Sequence, residues 1–175
     1  MPSLSHTHIH AQTPTFISFC LCVCVCPCVG YVQGMSDLAS VILYVIHDEV
    51  DAFWSFAGLM ERMEETFRAD QIGIHAQLRD LECLVHFMEP AFMEYLVAQD
   101  ADKLYFAFRW VLVAFKREFT VEDVMPIWEV LWSDYMTPKY QLFVCLALLQ
   151  RIKDAAMAKN CGTCVCLETV VRGHV

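Results

Sequence analysis

Few residues of this 175-residue chain are arranged for chemistry, and they fall into three groups. The first is Gly30-Tyr31-Val32-Gln33-Gly34-Met35-Ser36-Asp37-Leu38, which reads as a loop entering a helix. Gly34 allows a close backbone approach there, and Gln33 holds a side-chain amide near the helix start. Such an amide accepts through its carbonyl and donates through its NH2, so it is equipped to orient a water molecule. The structural alternative is a cap or an amide that satisfies the core. The second group, Cys161, Cys164 and Cys166 with His174, offers enough thiolate and imidazole for a tetrahedral zinc. It lacks the second CxxC of a paired zinc knuckle. The third is the alternation Cys20, Cys22, Cys24, Cys26, Cys28, with soft-metal capacity, and His6, His8 and His10 in a polar tail, where solvated side chains are the ordinary reading. No metal site is assigned to either end.

Most searches for a self-contained enzyme return nothing. The chain has no phosphate-binding glycine loop, no GxGxxG, no HExxH and no GxSxG. Lys and Arg number 12 against 21 Asp and Glu, and the resulting net charge of −9 has the wrong sign for a protein that binds a phosphate backbone. Hydrophobic residues make up 57% and charged residues 19%, which is the composition of a chain that folds, at a length suited to one domain. Half of the ten cysteines crowd into one short segment, so they do not describe a disulfide framework.

Three stretches differ in character. Residues 1–29 form a low-complexity segment: a polar His/Thr/Pro start, then FISFCLCVCVCPCV, an apolar run too short to span a bilayer as a helix and interrupted by Pro27. A signal-peptide core is one reading of that run. No Lys or Arg precedes Arg62, however, so the basic flank of a signal sequence is absent. Cys-Val alternation is also what a TG dinucleotide repeat would encode, and on that reading residues 1–29 are translated non-coding sequence or an alternative first exon. Residues 30–158 carry the helical pattern, and residues 159–175 form a second tail.

Within the middle stretch the apolar residues recur at three and four positions, so the fold expected is all-α, a bundle-like helical array. Ser36 or Asp37 caps a helix bearing Leu38, Val41, Ile42, Val45 and Ile46. Asp48, Glu49 and Asp51 suit the positive end of the next, through Phe53, Trp54, Phe56, Leu59, Met60 and Met63. A third helix carries Ile74, Leu78, Leu81, Leu84, Val85 and Met88 and ends or bends at Pro90, and a short piece from Phe92 to Val97 follows it. Residues 103–117, KLYFAFRWVLVAFKR, are apolar all round and predict one central helix, with Asp100 and Asp102 at its start and Lys116 and Arg117 at its end. Thr120 and Asp123 form a cap for VEDVMPIWEVLWSDY, which Pro126 kinks. Thr137-Pro138 starts the last helix, with Leu142, Phe143, Leu146, Leu149 and Ile152. No internal repeat of solenoid length is present.

YVQGM resembles the YxQ motif of the TBC domain, the catalytic module of GTPase-activating proteins for Rab-family GTPases. Further matches follow in the family's order: Ala52-Phe53-Trp54-Ser55-Phe56 with Leu59-Met60, Phe108-Arg109-Trp110 leading to Phe115-Lys116-Arg117-Glu118-Phe119, and Ile127-Trp128-Glu129-Val130-Leu131-Trp132. Together they cover roughly Gly30 to Met157. The resemblance implies a protein that works in trans on a Rab GTPase, with GTP and Mg²⁺ belonging to the GTPase and no cofactor of its own. It implies that Gln33 is the glutamine finger, with Tyr31 as motif support, and that the protein is cytoplasmic and acts at endomembranes. The family's arginine comes from an IxxDxxR motif before YxQ, and nothing before Tyr31 matches it. A chain with the glutamine alone is therefore expected to be a weak activator, since arginine fingers contribute about 10³ to 10⁵ in rate. Without further helices to cover them, apolar faces of the remaining ones are expected to be exposed. The competing reading is a non-catalytic helical interaction module that still touches a GTPase, and a third is a membrane-tethered helical protein anchored through residues 16–32. Arg109, on an apolar helix, is expected to pair with a buried carboxylate and not to act as a finger. Trp54, Trp110, Trp128 and Trp132 are expected in the core.

Overall fold

The computed structural model describes residues 31–158. The two tails, 1–29 with their cysteines and histidines and 159–175 with Cys161, Cys164, Cys166 and His174, lie outside the described residues. Among the described residues there is no strand, and the fold is all-α. Residues up to Glu64 form one compact unit and those from Glu65 a second.

The first unit holds α1 (Met35–Val45) and α2 (Glu49–Arg62), which pack on each other. Asp48 caps α2 by accepting from the backbone amides of Val50 at 2.9 Å and Asp51 at 3.0 Å, and Glu49 and Asp51 stand in its first turn. The buried residues of α2 are Ala52, Phe56 and Leu59, at four- and three-residue spacing, and they continue into Met63 just past its end. Trp54 lies two positions from Ala52, about 200° around the helix, and is 68% exposed. It is not a core residue. The expectation failed because the segment AFWSF is apolar around most of its circumference, so period alone could not choose its face.

The second unit is built on α4 (Ile72–Met88), which packs against α5 (Pro90–Ala98), α6 (Phe108–Leu112) and α8 (Tyr140–Ala158). Ile74, Leu78, Leu81 and Val85 of α4 are buried, and so are Leu142, Cys145, Leu146, Leu149, Ile152 and Ala156 of α8. Each fully buried side chain of this size contributes roughly 1.5–3 kcal/mol, so these two stripes hold the unit together. Burial pushes the Cys145 thiol up, which removes it from thiolate chemistry. Pro90 is the first residue of α5, as its missing N–H allows. The Tyr95 hydroxyl donates to the Ala156 carbonyl at 3.1 Å, a second tie between α5 and α8. The short α3 (Glu64–Phe67) precedes α4.

Gly73, in the first turn of α4, is a close-approach position: a Cβ there would overlap the backbone carbonyl of Glu65. Helix propensity alone would favour alanine by about 1 kcal/mol. Because the obstacle is backbone and cannot swing aside, Gly73→Ala is expected to destabilise by about 1–3 kcal/mol instead. Urea unfolding of the variant decides the sign, and a more stable variant would refute the contact.

Glu89 accepts from Lys153 Nζ at 2.7 Å and from Gln150 Nε2 at 2.8 Å, joining the α4–α5 corner to α8. The hydrogen bond from Lys153, then that from Gln150, holds the Glu89 carboxyl below the ordinary glutamate value, and the same pairing raises Lys153. A depressed folded-state value stabilises above the unfolded one and is lost as pH falls through it. The melting temperatures of wild type and Glu89→Gln should therefore differ at pH 7 and converge on acidification through the carboxylate range. A gap that stayed constant with pH would remove the ion pair from the account.

The segment 103–117 corrects the sequence reading. In place of one helix it forms a 3₁₀ turn at Tyr105–Ala107, then α6 of only five residues, then a run of turns. Leu104, Ala114 and Phe115 adopt positive φ of 53°, 44° and 65°. The chain bends at Ala114-Phe115 so that Phe115 is completely buried. The bend is held by the Phe115 amide on the Trp110 carbonyl at 3.0 Å and by the Trp128 indole on the Ala114 carbonyl at 2.7 Å. A segment buried on every side carries no period, so nothing in its pattern marks where a helix breaks. The dipole argument for Asp100, Asp102, Lys116 and Arg117 falls with the helix, and Asp102 pairs with Lys103 at 3.0 Å.

α7 (Val121–Ser133) begins as expected: the Thr120 hydroxyl accepts from the Asp123 amide at 3.2 Å and donates to its carboxylate at 2.8 Å. Trp110 and Trp128 are buried and Trp132 is half-buried against Trp128, with ring centroids 4.6 Å apart. Thr137 and Pro138 form a turn before α8, which starts at Tyr140.

Candidate functional site

Gln33 sits at a corner. The Met35 amide donates to the Val32 carbonyl at 3.2 Å, which closes a tight turn with Gln33 and Gly34 at its two central positions. Gly34 has φ 108° and ψ −24°, the left-handed backbone that a type II turn requires at its third residue and that side chains beyond glycine adopt only with strain. Its carbonyl then accepts from the Asp37 amide at 3.0 Å and starts α1. Gly34, not Ser36 or Asp37, is thus the residue that caps α1, and no side chain caps it. The sequence reading placed the cap two residues late, because the turn itself satisfies one of the free amides of the first turn.

The turn is anchored on one side and open on the other. Gly34 and Met35 are buried, the latter with its sulfur facing the Val32 amide at 3.4 Å. Gln33 is exposed, and among the described residues its amide makes no hydrogen bond. Tyr31 beside it is exposed too. A capping or core-satisfying role for the amide is therefore excluded. What remains is a neutral acceptor–donor pair on a backbone fixed by glycine, able to take a hydrogen bond from water through Oε1 and give one through Nε2. It has no charge to lose over the physiological range, so it can orient a nucleophile but not deprotonate one.

The other residues weighed from sequence have structural places. Arg109 Nε donates to Glu118 Oε1 at 2.8 Å, and its terminal nitrogen lies 2.6 Å from the same oxygen, with the two side chains 18% and 1% exposed. This is the buried pair expected, and it leaves Arg109 no reach as a finger. Lys116 is half-buried and Arg117 exposed. The described residues contain no group of three metal-ligating side chains. Sequence reasoning missed the exposed face of α2, for which only its opposition to the stripe Ala52, Phe56, Leu59 gave a signal.

The arrangement has parallels among known proteins. The model of the Rab-GTPase-TBC domain matches residues 19–157. The GTPase-activating protein GYP7 of Yarrowia lipolytica is 48% identical over 134 residues, 77% of this chain and 18% of the relative. TBC1 domain family member 17 of Homo sapiens is 45% identical over 135 residues, 77% of this chain and 21% of the relative. The chain therefore spans about a fifth of the length of these relatives. The crystal structure of the Ypt/Rab-GAP domain of Gyp1p superposes with a TM-score of 0.69 at 19% identity, covering 95% of this chain and 74% of that one, which is a likeness of fold. With most of its length matched by one domain model, and the quoted motifs inside the match, the chain belongs to the Rab-GTPase-TBC domain family.

Proposed function

We propose that the chain acts in trans on a Rab-family small GTPase carrying GTP and Mg²⁺, contributing Gln33 as the group that orients the hydrolytic water. The observation that carries this reading is the exposed amide of Gln33, without a hydrogen bond among the described residues, on a glycine-fixed turn. Intrinsic GTP hydrolysis is slow because the attacking water is poorly oriented and the transition-state charge is unstabilised. A fixed amide addresses the first defect. The relatives named GTPase-activating proteins support the same direction.

The second defect calls for a cation, and none of the 61 residues before Arg62 is Lys or Arg. The chain by itself is accordingly proposed to be a weak activator. Its place is proposed to be the cytoplasmic face of endomembranes, reached through the GTPase; no helix among the described residues is long and apolar enough to cross a membrane. Single-turnover GTP hydrolysis by a panel of Rab GTPases, with the chain and its Gln33→Ala variant, tests the reading.

A further inference from the structure

The pair Thr137-Pro138 plays no part at Gln33, and it does not start the last helix as its sequence suggests, because α8 begins at Tyr140. Thr137 lies in the link between α7 and α8, residues 134–139, which holds no helix. Tyr135 and Met136 before it are 88% and 71% exposed, Pro138 and Lys139 after it are exposed, and Thr137 itself is half-buried. Every other serine and threonine among the described residues lies within a helix or caps one. Several of those hydroxyls also give up their proton: Ser40 to the Asp37 carbonyl, Thr120 to the Asp123 carboxylate and Ser133 to the Val130 carbonyl. Thr137 Oγ1 accepts from the Lys139 amide at 3.2 Å, and its proton goes to no group among the described residues.

We propose that Thr137 is a phosphorylation site for a proline-directed protein kinase. A kinase cleft takes its substrate as an extended segment, and the residue before a proline is pushed toward extended backbone by the ring. The proline offers no N–H, so it suits a cleft that presents no acceptor at that position. Tyr140 stands third after Thr137, where a basic residue is absent, so the matching kinase is one that reads the proline alone. In the transfer, Thr137 Oγ1 bonds to the γ-phosphorus of Mg·ATP, the bond from that phosphorus to the bridging oxygen breaks, ADP leaves, and the hydroxyl proton passes to the catalytic aspartate of the kinase. The product carries about −1.5 to −2 charge at pH 7 and three acceptor oxygens. Two residues away, Lys139 Nζ lies 2.7 Å from Asp80 Oδ2 of α4, with the two side chains 65% and 46% exposed. An exposed pair of this kind is weakly held, so the phosphate draws Lys139 from Asp80 and unties the link from α4.

The test incubates the full 175-residue chain with a recombinant mitogen-activated protein kinase and Mg·ATP, locates phosphate by mass spectrometry and checks helicity by circular dichroism. Thr13-Pro14 is the other Thr-Pro pair of the sequence, so Thr13→Ala serves as the background. Phosphate on Thr137 is expected there, with none incorporated in Thr137→Ala and incorporation slowed at least about tenfold in Pro138→Ala. A synthetic peptide of residues 131–143 controls for the motif. A modified peptide beside an untouched folded chain means that the link withholds the hydroxyl, and it overturns the proposal. So does failure of both, which means that the proline is not read, and so does equal incorporation in Pro138→Ala, which assigns Thr137 to another class of kinase. The part played by Lys139 is read from the phosphorus resonance: the second ionisation of the phosphate should fall below the ordinary value of about 6 and return toward it in Lys139→Gln. The same titration in both forms leaves Lys139 on Asp80 and overturns the exchange.

Discussion

Gln33→Ala is expected to return Rab GTP hydrolysis to its intrinsic rate in the presence of the 175-residue chain. The magnitudes follow from dividing the work. A complete activating constellation gives about 10⁵ in related GTPases, of which an arginine supplies about 10³ to 10⁵. The chain alone is therefore expected to accelerate hydrolysis by no more than about 10²-fold, and all of that through the amide. When the chain is preceded by a segment carrying the family's IxxDxxR arginine, the acceleration should rise by about 10³ to 10⁵. In that background Gln33→Ala should lose about 10²- to 10³-fold, the usual cost of removing one pre-positioned transition-state group. Gln33→Glu is the sharper variant. It keeps shape and acceptor but removes the donor and adds a negative charge facing phosphate, and it should fall at least as far as alanine. Full activity of Gln33→Ala in the arginine-bearing form would end the assignment of the amide.

Gly34 belongs to the same mechanism. Its backbone at φ 108° aims the amide outward while Met35 is buried, so the turn and the exposure of Gln33 are one feature. The residues themselves show a loop with a close backbone approach at Gly34 but leave a capping or core amide open and put the cap at Ser36 or Asp37; the outward glutamine is implied only by the family resemblance. Capping at Thr120 was legible because short polar side chains at helix starts have one dominant local partner, whereas Asp48 reads only as a charge at the helix start and proves to be the cap as well. The face of α2 and the course of 103–117 were not legible. Trp54 could not be placed because apolar residues surround it in sequence, and exposure is decided by what packs on a helix and not by its composition. The bend at Ala114-Phe115 depends on partners nine and fourteen residues away, Glu118 for Arg109 and Trp128 for Ala114, and local pattern holds no record of them.

That bend leads to the second large effect, Arg109→Met, which is expected to destabilise the second unit by about 3–5 kcal/mol, a large share of the 5–15 kcal/mol that holds a typical domain. Two non-glycine residues in left-handed backbone each cost roughly 1–2 kcal/mol, so the turn persists only because its surroundings over-determine it. Arg109 and Glu118 clasp its two ends. The pair is asymmetric. Glu118 is 1% exposed and its second oxygen has no hydrogen-bond partner among the described residues, whereas the Arg109 side chain is 18% exposed although the terminal nitrogen that faces Glu118 is itself buried. Removing arginine strands a buried carboxylate, while removing glutamate leaves a cation that can lean toward solvent. Arg109→Met should thus cost more than Glu118→Gln, and adding Glu118→Leu to Arg109→Met should recover much of the loss, since apolar replacement of both partners leaves no charge to desolvate. Chemical denaturation of the three variants gives the order directly. Equal losses for the two single variants, with no recovery in the double, would mean that the pair acts through packing volume and that the turn is held by the Phe115 amide on the Trp110 carbonyl and by the Trp128 indole.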